Sequence, residues 1–282
     1  MSDRRDIRQF LKQHGATPLD VSRRGSGLNG VWAIQYGQHP AILKVYDRRR
    51  GPLQTRLSNF ANRLRGLTPY SAAARCRVEQ QMFCSWRAAG FDVPSLLDPL
   101  PDRPIPPQCV LMERIDGELL GDLLLDNETE SSLKDRLFVR FLRQWGQRHA
   151  TAEKTANLSL IQERPMFGHV FVAQDRFVTF DLETRFVRAR SVRSLIVREI
   201  CGYLRSLLKH LPDAQIAHFL ALLVARYPHR RYLEAVYPEL FRNPSLPARC
   251  VHTIDRRFIR RHKKMRKYEI AQRLQALLTT HH

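Results

Sequence analysis

Residues 25–46 read GSGLNGVWAIQYGQHPAILKVY, and the choice of fold turns on the structure that comes after the last glycine of Gly25-x-Gly27-x-x-Gly30. In a dinucleotide-binding unit that glycine opens a helix, and an acidic residue about 20 positions later meets the ribose. Here Val31 to Tyr36 runs on as a strand to a turn at Gly37, and Ala41 to Tyr46 returns as an apolar strand, with no acid at the ribose position. The motif is therefore strand, loop, strand. In that geometry Gly25, Ser26, Gly27 and Gly30 let backbone amides approach a nucleotide's phosphates from above.

Lys44 lies in the returning strand on the face shared by Ile42 and Tyr46, so it is partly buried and needs a partner. Ser71 caps a helix that runs through Glu79, Met82, Phe83 and Trp86 to a stop at Gly90. Taken singly, Lys44 reads as a snorkelling surface lysine and Glu79 as a solvated helix charge. A glycine loop, a strand lysine and a helix glutamate in this order point instead to a phosphate-binding lysine held by an ion pair. Further on, Val178-Thr-Phe-Asp181-Leu-Glu183 ends an apolar strand in a carboxylate. Alone that is a turn-forming Asp, but behind the upstream loop it is where a phosphotransferase would hold Mg²⁺.

The 282 residues carry 47 Lys and Arg against 27 Asp and Glu, a net charge of +20, and 43% of them are hydrophobic, enough for a full core. Most of the charge is local. Segment 48–77 holds eight arginines and no acid, and segment 249–267 holds nine basic residues against Asp255 alone. Such patches imply an anionic partner or surface, or simply a solvated face. Ile254, Phe258, Met265 and Tyr268 among the second set would make a cationic amphipathic helix. The longest apolar run, 219–225, has seven residues where a membrane span needs about 20, and the N-terminus has no apolar leader. Five scattered cysteines without a C-x-x-C pair argue against a disulfide framework or structural zinc, and a cytoplasmic setting is expected.

Along the chain we expect a short N-terminal helix closed by Gly15, strands at 19–24, 31–36, 41–46 and 109–112, and an Arg-rich insertion over 47–78. A connector at 113–117 then leads to helices at 131–152, 191–211 and 214–226, interrupted by a hairpin of 170–172 and 177–180. The fold class is α+β and two-lobed. A strand-rich N-lobe spans 1–113 and a larger helical C-lobe spans 114–282, with a catalytic-loop region at 161–183 and a basic helix at 249–278.

These residues resemble the protein-kinase-like fold and, within it, the bacterial lipopolysaccharide core kinases (the Kdo and heptose kinases and InaA-like proteins). Gly168-His169-Val-Phe-Val172, a short turn, and Phe180-Asp181-Leu-Glu183 carry the likeness to that branch, and the resemblance covers about 21–211. It implies ATP and Mg²⁺, a sugar hydroxyl of the lipid A core as acceptor, and a place at the inner face of the cytoplasmic membrane. Segments 48–77 and 249–267 would meet the membrane or an anionic glycolipid. It also implies that backbone groups of Glu113 to Ile115 meet the adenine, and it sets His169 at the second metal position, although Mg²⁺ prefers oxygen. The chain departs from the pattern at the general base. Aligned on His169, Gln162 stands for the His and Arg164 for the Asp of H-x-D-x-x-x-x-N, with Glu163 next door as a substitute. Arg164 accordingly supports an alternative, a pseudokinase that keeps the pocket without turnover. A basic nucleic-acid-binding protein is the third reading, without stacking aromatics or a recognised module to support it.

Overall fold

The computed structural model describes residues 3–18, 29–46, 51–99, 104–189, 191–242 and 267–280. Gly25, Ser26 and Gly27, the strand expected at 19–24, and all but the last residue of segment 249–267 lie outside them. The chain forms two compact units, one of residues 1–117 and 171–188, the other of residues 118–170 and 189–282.

The first unit is built on an antiparallel sheet in the order β1 (Thr17–Pro18), β2 (Asn29–Tyr36), β3 (His39–Tyr46) and β4 (Cys109–Glu113). Gly37, at φ +63°, makes the tight turn that sets Tyr36 opposite His39 and Val31 opposite Lys44. Strand alternation then divides β3. Ala41, Leu43 and Val45 join Ile34, Tyr36, Leu111 and Phe10 of helix α1 (Asp3–Gln13) in a hydrophobic core, where full burial of a side chain such as Leu43 contributes about 2–3 kcal/mol. Lys44 and Tyr46 face the other way. There they meet α3 (Ala72–Ala88), whose N-cap Ser71 accepts from the Ala74 amide. Its buried residues Arg75, Glu79, Met82 and Trp86 recur at i, i+4, i+7 and i+11, so one helix face carries apolar packing at one end and two charges at the other.

The Arg-rich insertion contains a helix that the sequence reading did not anticipate, α2 (Pro52–Leu64). The first unit also holds most of a hairpin, β6 (Val170–Ala173) and β7 (Arg176–Thr179), and the extended segment behind it. That segment lies against the turn after α2: Leu67 bridges Phe186, and the amides of Thr68 and Val187 donate to the Arg185 and Gly66 carbonyls. Gly66 sits at φ +69°, and a Cβ there would stand 2.4 Å from the Arg188 carbonyl oxygen, so a side chain is excluded twice over.

The second unit is helical. A two-residue strand β5 (Glu118–Leu119) opens it, followed by α4 (Leu120–Leu125), α5 (Ser131–Thr155), α6 (Val192–Leu208), α7 (Asp213–Arg226), α8 (Arg230–Glu234) and α9 (Lys267–Thr280). Phe138, Phe141, Trp145, Phe167, Tyr203 and Phe219 form one aromatic core, with ring centroids 4.9–6.0 Å apart in mostly tilted or edge contacts. The α+β class, with a strand-rich and a helix-rich part, is the one the sequence led us to expect. Of the basic C-terminal helix expected at 249–278, the described residues show the part from Lys267 onward, running to Thr280.

Candidate functional site

Three of the residues singled out in the sequence converge in the first unit. The Lys44 ammonium lies 2.9 Å from Glu79 Oε2 and 3.0 Å from Oε1, and it also donates to Asp181 Oδ1 at 2.5 Å. Sheet, helix and post-hairpin segment each supply one group. Position 181 is fixed from behind: the Leu182 amide donates to Glu79 Oε1 at 3.1 Å, so this carboxylate holds both the lysine and the backbone next to Asp181. Asp181 itself adopts φ +62°, a left-handed conformation that costs energy in any residue with a side chain, though Asp and Asn tolerate it best. Its side chain keeps 27% of its surface exposed, while those of Lys44 and Glu79 keep 9% and 1%. Asp181 is thus the member of the trio that solvent or a ligand reaches.

A second network, which the sequence reading missed, adjoins the first. Arg75, one helical turn before Glu79, pairs with Glu183 at 3.0 Å and donates to Asn29 Oδ1 at 2.6 Å, and Asn29 Nδ2 donates to Glu183 at 2.8 Å. Asn29 begins β2 immediately before Gly30, so the described end of the glycine loop is tied to the residue two beyond Asp181. The Arg75 guanidinium also lies over the rings of Tyr46 and Tyr70, at 5.4 and 5.1 Å. An Arg inside a helix interior and an Asn beside a glycine read as ordinary surface residues. The available signal was the i, i+4 spacing of Arg75 and Glu79 on the face that also carries Met82 and Trp86.

Among the described residues of this cluster, three carboxylates (Glu79, Asp181, Glu183) face two cations (Lys44, Arg75), leaving an excess of one negative charge when all are ionised. Burial drives the Glu79 carboxyl up to about 7, with Lys44 pulling against it and Asp181 and Glu183 adding to the rise. Burial would lower the Lys44 pKa, but the carboxylates of Asp181 and Glu79 outweigh it and raise the ammonium's pKa well above the ordinary lysine range. Lys44 stays charged, and the proton affinity of Glu79 is raised.

No protein-family model matches this chain, and no curated protein matches it in sequence. Among solved structures, one described as "WaaP in complex with acyl carrier protein" is similar, at 13% sequence identity over 82% of this chain and 87% of that one, with a TM-score of 0.47. The functional reading of this chain therefore rests on its own side chains.

The remaining candidates lie elsewhere on the strand-rich unit or in the helical one. Glu113 ends β4, where its carboxylate accepts from the Ser95 amide at 2.9 Å and its amide donates to the Ser95 carbonyl, also at 2.9 Å; Ile115, two residues on, is half-buried. Gly30 pairs with Val45 across β2 and β3. Glu163, Arg164 and His169 belong to the second unit. There the Glu163 carboxylate, only 6% exposed, accepts from Arg164 Nε at 3.2 Å and has Arg198 at 4.0 Å on its other oxygen. His169 ends a short 3₁₀ turn, Phe167–His169, and its amide donates to the Met166 carbonyl.

The loop carrying Glu163 and Arg164 is held by a buried cluster that sequence reading also missed. Glu199 of α6 forms a two-pronged ion pair with Arg148 of α5 and accepts from Trp145 Nε1 at 3.3 Å and from the Gln162 amide at 3.0 Å. His149 reaches Glu199 at 3.4 Å and the Tyr227 hydroxyl at 2.6 Å, and the Tyr203 hydroxyl donates to the Gln162 side chain. Gly202 completes the clamp, since a Cβ there would stand 2.3 Å from the Pro165 ring. Four neighbouring α6 positions, Arg198, Glu199, Gly202 and Tyr203, thus fix residues 162–165. The signal was an acid inside the apolar run Ser194-Leu-Ile-Val-Arg-Glu-Ile-Cys201.

Among the described residues no cluster of three or more His, Cys, Asp or Glu is arranged to hold a metal by itself. Mg²⁺ does not need one, because it is commonly bound through one or two carboxylates with substrate phosphates and water completing the shell. Asp181, an oxygen donor with exposed surface, fits that demand; Glu183 is committed to Arg75 and Asn29. Nor is any described helix long and apolar enough to cross a membrane.

Proposed function

We propose that the chain is an ATP-dependent phosphotransferase of the lipopolysaccharide core kinase type, acting on a sugar hydroxyl of an anionic, phosphorylated glycolipid. The observation that carries this reading is the Lys44 ammonium bonded at once to Glu79 and Asp181. A buried lysine held by a helix carboxylate presents a fixed positive charge that can neutralise nucleotide phosphates, and phosphoryl transfer draws most of its rate from such positioning and charge. Asp181 would hold Mg²⁺, which supplies charge neutralisation on the phosphate oxygens when bound. Gly25, Ser26, Gly27 and Gly30 would cover the phosphates, and the backbone of 113–115 would meet the adenine.

Lys44→Ala and Asp181→Ala should each lower acceptor-dependent phosphate transfer at least about 100-fold, as the loss of a strong electrostatic contact to the transferred group does. Full turnover in either variant would remove these residues from the site.

A second reading, a nucleotide-binding pseudokinase, is favoured by one observation: Glu163, the carboxylate nearest the expected base position, is paired with Arg164 and flanked by Arg198. Glu163→Gln distinguishes the two. In an enzyme that uses this carboxylate the variant loses turnover with nucleotide binding intact, whereas a pseudokinase has no turnover to lose.

A further inference from the structure

Helix α2 is amphipathic the wrong way round for a helix on a globular unit. Leu53, Leu57, Phe60 and Leu64 recur at i, i+4, i+7 and i+11, within an arc of about 60° at 100° per residue. They are exposed to 70%, 61%, 62% and 72%. The side turned inward is polar. Thr55, Ser58 and Asn59 are half-buried and Asn62 is buried. Asn62 Nδ2 donates to the Thr68 carbonyl at 2.9 Å, and Asn59 Oδ1 accepts from the Tyr70 amide at 2.6 Å. The helix is therefore held to its unit by side-chain hydrogen bonds, and its four large apolar residues are left to solvent. Isolated exposed leucines need no explanation, but a continuous stripe of this kind marks an interaction surface.

Charge selects the occupant. Arg56 and Arg63 both fall on one flank of the apolar stripe, and the surrounding segment 48–77 carries eight arginines without a single acid. A second copy of this chain would bring the same positive face and a net charge of +20 to the contact. Segment 249–267 of the same chain is basic as well, so neither complements α2. An apolar stripe flanked by arginines on a short surface helix is instead the pattern of a helix that lies in the plane of an anionic bilayer, its apolar side chains in the headgroup and acyl boundary.

We propose that α2 is a membrane-interfacial helix, with Leu53, Leu57, Phe60 and Leu64 inserted into an anionic lipid surface and Arg56 and Arg63 on its phosphates. Such binding does not depend on phosphate transfer.

Flotation of the full chain with phosphatidylcholine vesicles, with and without phosphatidylglycerol, tests it. The wild type should float with the anionic vesicles and remain behind with the neutral ones. Leu57→Ser with Phe60→Ser should lower the partition coefficient at least about tenfold, since two large apolar side chains leave the lipid. Arg56→Gln with Arg63→Gln should lower it about tenfold or more at low salt and less at high salt. In a Phe60→Trp variant, tryptophan emission should shift to the blue on anionic vesicles alone. Circular dichroism should be unchanged in all variants, because the substituted side chains are exposed. Failure of the wild type to float would overturn the proposal. So would flotation that survives both double variants, which would assign binding to another segment. A concentration-dependent mass that Leu57→Ser with Phe60→Ser abolishes, or capture of an acidic protein in place of lipid, would assign the face to a protein partner and overturn it too.

Discussion

Each unit buries a cluster of charges, and the two are built to opposite ends. In the helical unit Glu199 receives Arg148, Trp145, His149 and the Gln162 amide, every one of them inside, and no part of its side chain is exposed. The opposing cations prevail over burial and bring its pKa down to about 2. In the strand-rich unit Lys44, Glu79 and Asp181 leave a carboxylate in excess, Glu79 is pushed up to about 7, and Asp181 remains in reach of solvent. A saturated cluster fixes a loop. The Lys44 cluster, in which Asp181 keeps 27% of its side chain exposed, leaves an edge that a ligand reaches. Glu79 and Glu199 are equally buried, so it is the balance of partners and not burial that sends their pKa values in opposite directions.

Breaking the saturated cluster should have the largest effect on stability. Glu199→Ala leaves Arg148 buried without its partner and should cost about 3–5 kcal/mol in denaturant unfolding, while replacing the pair together by Met and Leu should recover much of that loss. An equal loss in the double variant would mean that the cluster works through packing alone.

The pH dependence should separate the two carboxylates by sign. Glu199, with its folded pKa below the ordinary 4.5, contributes stability above pH 4.5, on the order of 3 kcal/mol, that is lost as pH falls toward 2. Glu79, with its folded pKa raised, binds its proton more tightly in the folded state. Its contribution is present below pH 4.5 and disappears as pH rises through 7. Unfolding followed against pH should therefore flatten below pH 4.5 in Glu199→Gln and between 4.5 and 7 in Glu79→Gln. The same window flattened in both variants would contradict the comparison.

Smaller effects test how the segment around Asp181 is held. Gly66→Ala imposes a side chain at positive φ against the Arg188 carbonyl and should destabilise by about 1–3 kcal/mol, with a matching loss at whatever site Asp181 serves. Ser71→Ala removes one cap from α3 and should cost about 1 kcal/mol without changing the pairing of Glu79 with Lys44.

The part of this architecture that local chemistry dictates was readable in the sequence. Gly37 announces its turn, Ser71 its cap, and strand alternation alone puts Lys44 opposite the core face of β3, so the trio of Lys44, Glu79 and Asp181 was legible as a set. Helix α2 was obscured by its arginines, and its stripe of Leu53, Leu57, Phe60 and Leu64 faces outward, where a periodicity reading would place a core. Arg75 and Glu183 were hidden because their meaning depends on each other across 108 positions, and Arg148 and Glu199 for the same reason across 51. Charges that neutralise one another at long range leave no local signature, whereas caps, turns and alternation do.

If the Lys44 cluster is a cation and phosphate site, calorimetry of ATP binding with and without Mg²⁺, in the wild type and in Asp181→Asn, tests it most directly. Binding to the wild type that requires Mg²⁺ and is weakened at least about tenfold in Asp181→Asn is the predicted result. Binding indifferent to Mg²⁺ and to Asp181, or no binding by a folded wild type, would contradict it.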